Sequence, residues 1–543
     1  MKRWMIIGIL VVAACVRLYN LAHVPPSPSL DEVTTGYNAY SILKTGADEY
    51  GTKFPLLLRA YDDFRPALYV YAVIPFVWAL GLTVLAVRLP SVLLSLIVVY
   101  VTYLLGRLIG KKYMSFDYLG EISALCIAIS PWHIYISRLG HEANMGLALT
   151  VVAVYFFLSG IIAKRTRSII GSGIVFGLTV YGYQSEKIVT PLLLAAGALF
   201  FWKELWKQKG AAILAAILCV LIAVPAAAAT LSPQGMVRFQ GTSAFSRDAP
   251  RMMEAERHYA LAKTAGNRIG EIVHGKLVTS AEIFAGNYIS HFSPGWLFAG
   301  ASREAFKAPG IGLLYVWEGV FLLLGLYALL RSKLPRNVKL FLLAWVLVSP
   351  VPASVTTQAP HAMRSYTMIP GLQLIEALGV WYVVRHLRTN YMRIGMAVVI
   401  STCIIYGAVG FWNGYFVRFP AEQSDAFQYA MKGAVTYALQ HNHDYARIEF
   451  AHQGNLYQSY MFFLYYSTFD PSAYHALGGT RSGGYQEAHY IGKYSFGYLP
   501  QTQAEYAPDT LYFYDAHAVP SGLRTIARFD NLDGKTGIAA AVL

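Results

Sequence analysis

The chain has 543 residues, of which 56% are hydrophobic and only 14% are charged, and its mean hydropathy is +0.42. This composition excludes an ordinary soluble domain and indicates a polytopic membrane protein. The net charge of +14 does not indicate nucleic-acid binding, because the basic residues stand in short clusters between apolar segments, as in the cytoplasmic loops of membrane proteins.

Apolar segments long enough to cross a bilayer, which takes about 20 residues, recur along the chain. The clearest are residues 4–21, 87–105, 147–163, 211–231, 310–330, 366–384 and 394–412. The basic clusters that mark the cytoplasmic side are residues 2–3, 164–167, 203–209, 331–339 and 385–393. We therefore expect an α-helical membrane protein with about 11 to 13 transmembrane helices, a cytoplasmic N-terminus and an extracytoplasmic C-terminus.

Up to seven apolar segments can be distinguished between residues 67 and 231. The loops on either side, about 22–66 and 231–309, both face outward, so the number of crossings between them must be even. One segment must therefore be short, re-entrant or fused with its neighbour, and we expect it between residues 67 and 137.

The first apolar segment has the basic start of a signal peptide but lacks a small-residue cleavage site, so we expect a retained helix. The loop that follows it carries six carboxylates: Asp31, Glu32, Asp48, Glu49, Asp62 and Asp63. Charges beside a bilayer are costly, which favours a functional role for some of them. Asp48 and Glu49, between Gly46 and Gly51, also fit a turn.

The end of this loop, Asp62-Asp63-Phe64-Arg65-Pro66, brings a carboxylate and a guanidinium to the lipid surface just before a helix rich in Tyr. A guanidinium matches phosphate with a bidentate fork and stays charged at any relevant pH. This position therefore suits a phosphate whose lipid tail lies in the bilayer.

Further along the chain, polar residues again interrupt the apolar pattern. Arg138, His141 and Glu142 lie between two apolar segments, where ion pairing among themselves is the simplest interpretation. The second outward loop contains Arg238 and, over residues 267–292, apolar residues at near-helical spacing. That spacing predicts an amphipathic helix, either at the membrane interface or packed on the protein.

Two further polar residues, His361 and Arg364, begin a late helix on the outward side, where an interfacial anchor is the alternative to a substrate contact. From about residue 415 the sequence turns polar and aromatic, and helix-like and strand-like patterns alternate. We expect a membrane module over residues 1–414 and a small extracytoplasmic α/β domain over residues 415–543. The four cysteines all fall in apolar segments, which argues against disulfides and thiolate metal sites.

Several motifs, in this order and spacing, resemble one known family. They are Asp31-Glu32, Asp63-Phe64-Arg65-Pro66 followed by Leu68-Tyr69, Arg88-Leu89-Pro90-Ser91, and residues 130–138, 181–184, 291–298 and 361–370. The sequence resembles the polyprenyl-phosphate-sugar-dependent glycosyltransferases of the GT-C class, and within it bacterial relatives of protein O-mannosyltransferases and lipid A aminoarabinose transferases.

The resemblance implies an inverting single displacement, in which the acceptor hydroxyl attacks the anomeric carbon and the lipid phosphate leaves. It assigns the catalytic base to Asp31 and phosphate binding to Arg65; Ala67 stands where many relatives have a second proline. We expect Glu32 as a second catalytic carboxylate. Further donor or phosphate contacts are expected from Asp63, Arg238, His361 and Arg364, and a substrate pocket from Asp48, Glu49, Arg138, His141 and Glu142.

Preorganised arginines can stabilise the departing phosphate without a metal ion, so we expect no cofactor. The pairs His141-Glu142 and Asp31-Glu32 nevertheless contain residue types that bind divalent metal ions, so a metal-dependent enzyme is the alternative. The expected partners are a polyprenyl-phosphate sugar donor, membrane lipid, and a protein, lipid or cell-wall acceptor. Two alternatives remain: a transporter or flippase of lipid-linked sugars, and a noncatalytic membrane scaffold.

Overall fold

The computed structural model describes residues 2–114, 116–300, 310–482, 488–499 and 506–543. Residues 301–309, at the end of the second expected outward loop, lie outside this range. Over the described residues the helices are α1 (Lys2–Leu18), α2 (Leu30–Thr45), α3 (Leu68–Leu80), α4 (Val84–Ile109), α5 (Leu119–Ile129), α6 (Pro131–Ser137), α7 (Glu142–Ile162), α8 (Thr166–Thr179), α9 (Glu186–Lys207), α10 (Lys209–Leu231), α11 (Pro233–Thr242), α12 (Pro250–Thr264), α13 (Arg268–Val273), α14 (Lys276–Ser290), α15 (Pro294–Phe298), α16 (Val316–Arg331), α17 (Arg336–Val348), α18 (Val351–Ser354), α19 (Gly371–His386), α20 (Asn390–Phe411), α21 (Phe419–Glu422), α22 (Met431–Gln440), α23 (Ser459–Tyr466) and α24 (Pro471–Ala476). The strands are β1 (Leu57–Ala60), β2 (Asp63–Pro66), β3 (Arg447–Ala451), β4 (His489–Ile491), β5 (Tyr494–Gly497), β6 (Thr510–Asp515), β7 (Arg524–Asp530) and β8 (Thr536–Val542).

The chain divides into two units. The first unit comprises residues 1–17, 93–137 and 142–411. Within it α8 packs against α7 and α10, and α16 packs along α19. The α16–α19 contact depends on glycine. A Cβ on Gly325 would collide with the backbone carbonyl of Ile375, and a Cβ on Gly379 would collide with that of Phe321. Small residues at helix crossings are typical of membrane helices, whose backbones approach closely.

Seven helical segments within the described ranges are long and apolar enough to cross a membrane, and the pair α5 and α6, bent by 60°, makes up to eight. This is fewer than the 11 to 13 expected. The difference arises because α3, α8 and α16 have only 13, 14 and 16 residues, below the roughly 20 that a crossing needs. The short α3 and the bent α5–α6 pair both fall between residues 67 and 137, where the parity argument expects an irregular segment.

The amphipathic segment at residues 267–292 is two helices instead of one. Helix α13 ends before His274, and α14 begins after its N-cap, Gly275. Ile283 is buried in a small core, whereas Ile269 and Leu277 are 75% and 85% exposed. One face is therefore packed and another presents apolar side chains outward.

The second unit comprises residues 18–92, 138–141 and 412–543. Its six-stranded sheet has the order β4-β5-β3-β6-β8-β7, with β3 parallel to β5 and β6 and the other pairs antiparallel. Phe450 stacks on Phe513 and Phe496, with ring centroids 4.3 and 5.2 Å apart. The expected C-terminal α/β fold is confirmed, although this unit also takes in the first acidic loop, which composition along the chain did not indicate.

Candidate active site

The first turn of α2 and the hairpin β1–β2 bring Asp31 and Arg65 together in the second unit. Ser29 caps α2 with a capping box, in which its side chain accepts from the Glu32 amide. Arg65 lies opposite Leu58 in the hairpin. Arg65 Nη2 donates to Asp31 Oδ1 at 2.7 Å, and His141 Nε2 lies 3.7 Å from Asp31 Oδ2. The sequence predicted the base and the phosphate contact separately, and the structure makes them direct neighbours.

Asp31 is the accessible member of this group. Its side chain is 34% exposed, whereas those of Arg65 and His141 are 6% and 9% exposed. A carboxylate in the first turn of a helix also faces the positive end of the helix dipole, which stabilises negative charge. The arrangement therefore holds the Asp31 carboxylate in a fixed orientation, with an open side toward solvent or substrate.

Glu32, next along the chain, has different surroundings. Its carboxylate accepts hydrogen bonds from Arg88 Nε at 2.7 Å and from Arg88 Nη2 at 3.1 Å. It also accepts from the backbone amides of Ser29 and Gly140. Burial alone would raise the pKa of Glu32, but Arg88 and these hydrogen bonds outweigh burial and lower that pKa below its ordinary value. Since only 1% of its side chain is exposed, Glu32 is placed to hold the first loop together; its catalytic role stays a prediction.

Asp48 and Glu49 are also buried, in a polar cluster away from solvent. Asp48 Oδ1 accepts from the amides of Tyr50 and Thr52, as in the turn alternative, and burial raises the pKa of Asp48. Glu49 accepts from Asn38 Nδ2 at 3.1 Å and from Thr480 Oγ1 at 2.8 Å. These contacts join the first loop to the C-terminal part of the second unit, and Glu49 is 0% exposed.

Glu49 makes the stability of the protein depend on pH. Burial raises the pKa of Glu49 from 4.5 to about 7, so the folded protein binds this proton more tightly than the unfolded chain. The stabilisation is complete below about pH 4.5 and is lost as the pH rises through 7. We expect Glu49→Gln to remove this dependence and to raise the free energy of unfolding at pH 8 by about 1 to 3 kcal/mol.

Thermal unfolding of the detergent-solubilised protein between pH 4 and pH 8 checks this expectation. Glu256→Gln, which changes an exposed glutamate, serves as the matched control and should behave like the unsubstituted protein. An identical decline of Tm with pH in Glu49→Gln and in the control would show that Glu49 does not titrate in this range.

The other residues expected near the first loop, Asp63, Arg138 and Glu142, lie at three separate places in the structure. Asp63 accepts from the Phe64 amide and pairs with Ala60 where the hairpin closes. Arg138 is fully buried; its Nη2 donates to the Val24 carbonyl at 2.8 Å and its guanidinium lies 4.8 Å from the Phe416 ring centroid. Glu142 begins α7 in the first unit and is buried there.

In the first unit a cavity of about 330 Å³ is lined by Arg238, Arg364 and Lys187. The rest of its wall is mostly apolar, with Phe239 and Met236 among the lining residues. Apolar walls with a few convergent charged groups are typical of ligand sites. The structure therefore brings together two arginines that the sequence predicted as phosphate contacts from positions far apart in the chain.

His361 is not among the residues that line this cavity, but it orients Arg364. Burial lowers the pKa of His291 to about 4, so its ring is neutral at pH 7 and its Nε2 accepts from the His361 amide at 3.2 Å. The ring of His361 accepts from the Arg364 amide at 3.4 Å, and Arg364 Nη1 donates to Thr356 Oγ1 at 2.6 Å. This chain of contacts fixes the backbone around Arg364.

Sequence reasoning missed three of these residues. Arg88, the buried partner of Glu32, and His291 both lie inside motifs that carry the family resemblance, yet neither was expected to act in the site. Lys187, three residues after the motif at 181–184, had no sequence signal beyond its place at the start of an apolar segment. A charge next to an apolar segment usually marks the end of a helix, so only its position in the cavity distinguishes it.

The fold defines a class of protein. Over 99% of this chain and 97% of the other, it matches the crystal structure of ArnT from Cupriavidus metallidurans bound to undecaprenyl phosphate, with a TM-score of 0.51 and 12% identity. ArnT in the apo state matches over 99% and 98%, with a TM-score of 0.52 and 13% identity. The oligosaccharyltransferase of Archaeoglobus fulgidus, in complex with Zn and sulfate, matches over 85% of this chain and 61% of the other, with a TM-score of 0.51 and 14% identity.

These matches confirm the resemblance to GT-C glycosyltransferases at the level of the fold. The sequence model of the family described as dolichyl-phosphate-mannose-protein mannosyltransferase matches residues 65–228, a segment that begins at Arg65. No curated protein matches the chain by sequence. The chain is thus a multi-pass membrane protein with the GT-C fold.

Proposed function

We propose that this protein is an inverting glycosyltransferase that moves one hexose or pentose from a polyprenyl-phosphate donor to an acceptor hydroxyl. The observation that carries the proposal is the partly exposed Asp31 carboxylate, held at 2.7 Å by Arg65 in the first turn of α2. A general base and a phosphate contact side by side suit a displacement that needs both.

In the proposed reaction the acceptor O–H gives its proton to the Asp31 carboxylate as its oxygen attacks the anomeric carbon. The bond between that carbon and the phosphate oxygen breaks, its electron pair stays on the phosphate, and the configuration inverts. Arg65 carries five N–H donors, and in the proposed reaction the guanidinium that binds Asp31 also contacts a phosphate oxygen. Preorganised donors at the developing charge are the larger part of such catalysis.

The cavity lined by Arg238, Arg364 and Lys187 supports lipid-phosphate binding, because it joins cationic groups to apolar walls. We expect Arg364→Ala to weaken binding of undecaprenyl phosphate about 10- to 100-fold, the worth of a charged hydrogen bond. Arg65→Ala should weaken it similarly. Isothermal titration of the purified, detergent-solubilised protein with undecaprenyl phosphate checks both variants.

The matched control for these variants is Arg331→Ala, which removes an exposed arginine at the end of α16. It should bind the lipid phosphate like the unsubstituted protein. If both Arg65→Ala and Arg364→Ala bound undecaprenyl phosphate as tightly as the unsubstituted protein, neither arginine would contact the donor.

The proposed transfer needs no metal ion, since arginine supplies positive charge at the leaving phosphate. Among the residues that the structure describes, no group of three or more His, Cys, Asp or Glu is placed to hold a metal, although Asp31 and His141 are themselves possible ligands. We expect transfer to continue unchanged after treatment with EDTA. An activity that EDTA abolishes and Mg²⁺, Mn²⁺ or Zn²⁺ restores would show that a metal is required.

In its proposed setting the protein spans the cytoplasmic membrane with its N-terminus inside, and Asp31 and the C-terminal α/β domain face outward. The positive clusters between apolar segments support this orientation. The acceptor is then a protein, a lipid or a cell-wall polymer on the outer face of the membrane. A glycan profile of the cell envelope with and without the protein would distinguish these three classes.

A further inference from the structure

A cavity of about 770 Å³ lies in the second unit within residues 422–536, and neither Asp31 nor Arg65 lines it. It is bounded by the end of α21, the turn at residues 454–457, the end of β6 and the loop between β7 and β8. Its volume falls in the range of ligand pockets. The reaction derived above does not use this cavity.

One side of the cavity is a rigid polar turn. Asp515 Oδ2 accepts from the Asn455 amide at 3.0 Å and from Asn455 Nδ2 at 3.1 Å, and Asp515 Oδ1 accepts from the His517 amide at 3.1 Å. Gly454 has a left-handed φ of +55°, and a Cβ there would collide with the Asp515 carboxylate. These bonds hold the Asp515 carboxylate in place, so a ligand that donates to it binds without a cost of ordering that side chain.

The lining also includes a buried amide with an unused acceptor. Asn531 lines the cavity and is only 7% exposed. Its Nδ2 donates to Asp425 Oδ1 at 3.3 Å, whereas its Oδ1 has no hydrogen-bond partner within the described part of the chain. A buried acceptor without a partner destabilises the folded protein. A ligand that donates a hydrogen bond at this place would recover that stability.

The charge of the lining selects the kind of ligand. Four carboxylates line the cavity, against one lysine: Glu422, Asp425, Asp515, Asp533 and Lys535. Lys535 pairs with Asp533 at 3.1 Å and Arg418 pairs with Glu422 at 3.6 Å, which leaves the charges of Asp425 and Asp515. The remaining negative charge repels anions such as phosphate, and carboxylate oxygens only accept hydrogen bonds. The ligand must therefore offer many donors and carry no negative charge.

We propose that this cavity binds a neutral or amino sugar, as a recognition site for a glycan acceptor. A sugar offers several hydroxyl groups, each able to donate to a carboxylate or to Asn531 Oδ1. A basic peptide would also satisfy the charge, but its long lysine or arginine side chains lose more conformational entropy on binding than a rigid sugar ring does. The assignment to the acceptor rests on the proposed glycosyl transfer, whereas sugar binding itself does not.

Saturation-transfer-difference NMR on the full-length protein in nanodiscs tests this proposal, with glucosamine, N-acetylglucosamine, glucose 6-phosphate and a tetralysine peptide as probes. Ala426→Trp places an indole in the cavity without removing a hydrogen-bonding side chain, because Ala426 is exposed and lines it. Asp425→Asn removes one carboxylate charge. The matched controls are Ala473→Trp and Asp444→Asn, which change exposed residues of the same unit that do not line the cavity.

We expect saturable binding of glucosamine or N-acetylglucosamine to the unsubstituted protein. The affinity should weaken at least tenfold in Ala426→Trp and Asp425→Asn and should be unchanged in both controls. Glucose 6-phosphate should not bind at this site. No saturable sugar binding, sugar binding that Ala426→Trp leaves intact, or preferential binding of the phosphate or the peptide would each overturn it. Undecaprenyl phosphate titrated into Ala426→Trp should bind normally; if it fails to bind even the unsubstituted protein, the proposed transfer fails while the sugar site is judged on its own data.

Discussion

Asp31→Asn is expected to lower the rate of sugar transfer by about 100- to 10,000-fold, the usual contribution of a general base, while the protein stays folded. The side chain is 34% exposed, and the amide can still accept a hydrogen bond from Arg65, so little stability should be lost. The rate is measured with purified protein and a radiolabelled polyprenyl-phosphate hexose, and folding is followed by Tm.

Asp62→Asn is the matched control, since Asp62 is an exposed carboxylate in the same loop, at the turn of the β1–β2 hairpin. It should transfer sugar at the normal rate. Normal transfer by Asp31→Asn, with transfer lost in Asp48→Asn or Asp63→Asn, would move the base to another carboxylate of the first loop.

Breaking the Glu32–Arg88 ion pair should have a large effect of a different kind. Both side chains are essentially inaccessible, at 1% and 0% exposed, and removing one partner leaves the other as an uncompensated buried charge. We expect Arg88→Met to lower the free energy of unfolding by about 3 to 5 kcal/mol, seen as a reduced Tm and a poor yield of folded protein. Glu32→Gln should act in the same direction.

The double variant Glu32→Met/Arg88→Met separates a structural role from a catalytic one. Replacing both charges with apolar side chains of similar size is often close to neutral, so the double variant should be more stable than Arg88→Met alone and should show a strong coupling in a double-mutant cycle. A Glu32→Gln variant that folds like the unsubstituted protein but transfers no sugar would instead make Glu32 a catalytic carboxylate.

The division of roles between Asp31 and Glu32 could not be derived from the sequence. Consecutive residues in a helix point about 100° apart, so only the tertiary structure decides which of them meets Arg88 and which stays accessible. The motif order was enough to indicate Asp31 and Arg65 as partners in one reaction. Their direct contact depends on the hairpin register that places Arg65 opposite Leu58, which composition does not specify.

Other expectations differed from the structure for identifiable reasons. Hydropathy located the long apolar segments well, but helices such as α3 and α16 end too early to count as crossings by length. Residues 267–292 kept helical spacing across Gly275, where the chain breaks into two helices. The burial of Glu49 was invisible because its partners, Tyr460 and Thr480, lie more than 400 positions away in the chain.

Inverting sugar transfer from a polyprenyl phosphate is tested most directly with a donor of defined structure. Purified protein in proteoliposomes is incubated with undecaprenyl-phosphate hexose of known anomeric configuration, labelled in the sugar, and with membrane-envelope extract as acceptor. We expect the bond between the anomeric carbon and the phosphate oxygen to be cleaved, undecaprenyl phosphate to be released, and the sugar to appear on the acceptor with inverted configuration. All three should slow by about 100-fold or more in Asp31→Asn. A donor that stays intact, or that crosses the bilayer uncleaved as a flippase would move it, would contradict sugar transfer by this protein.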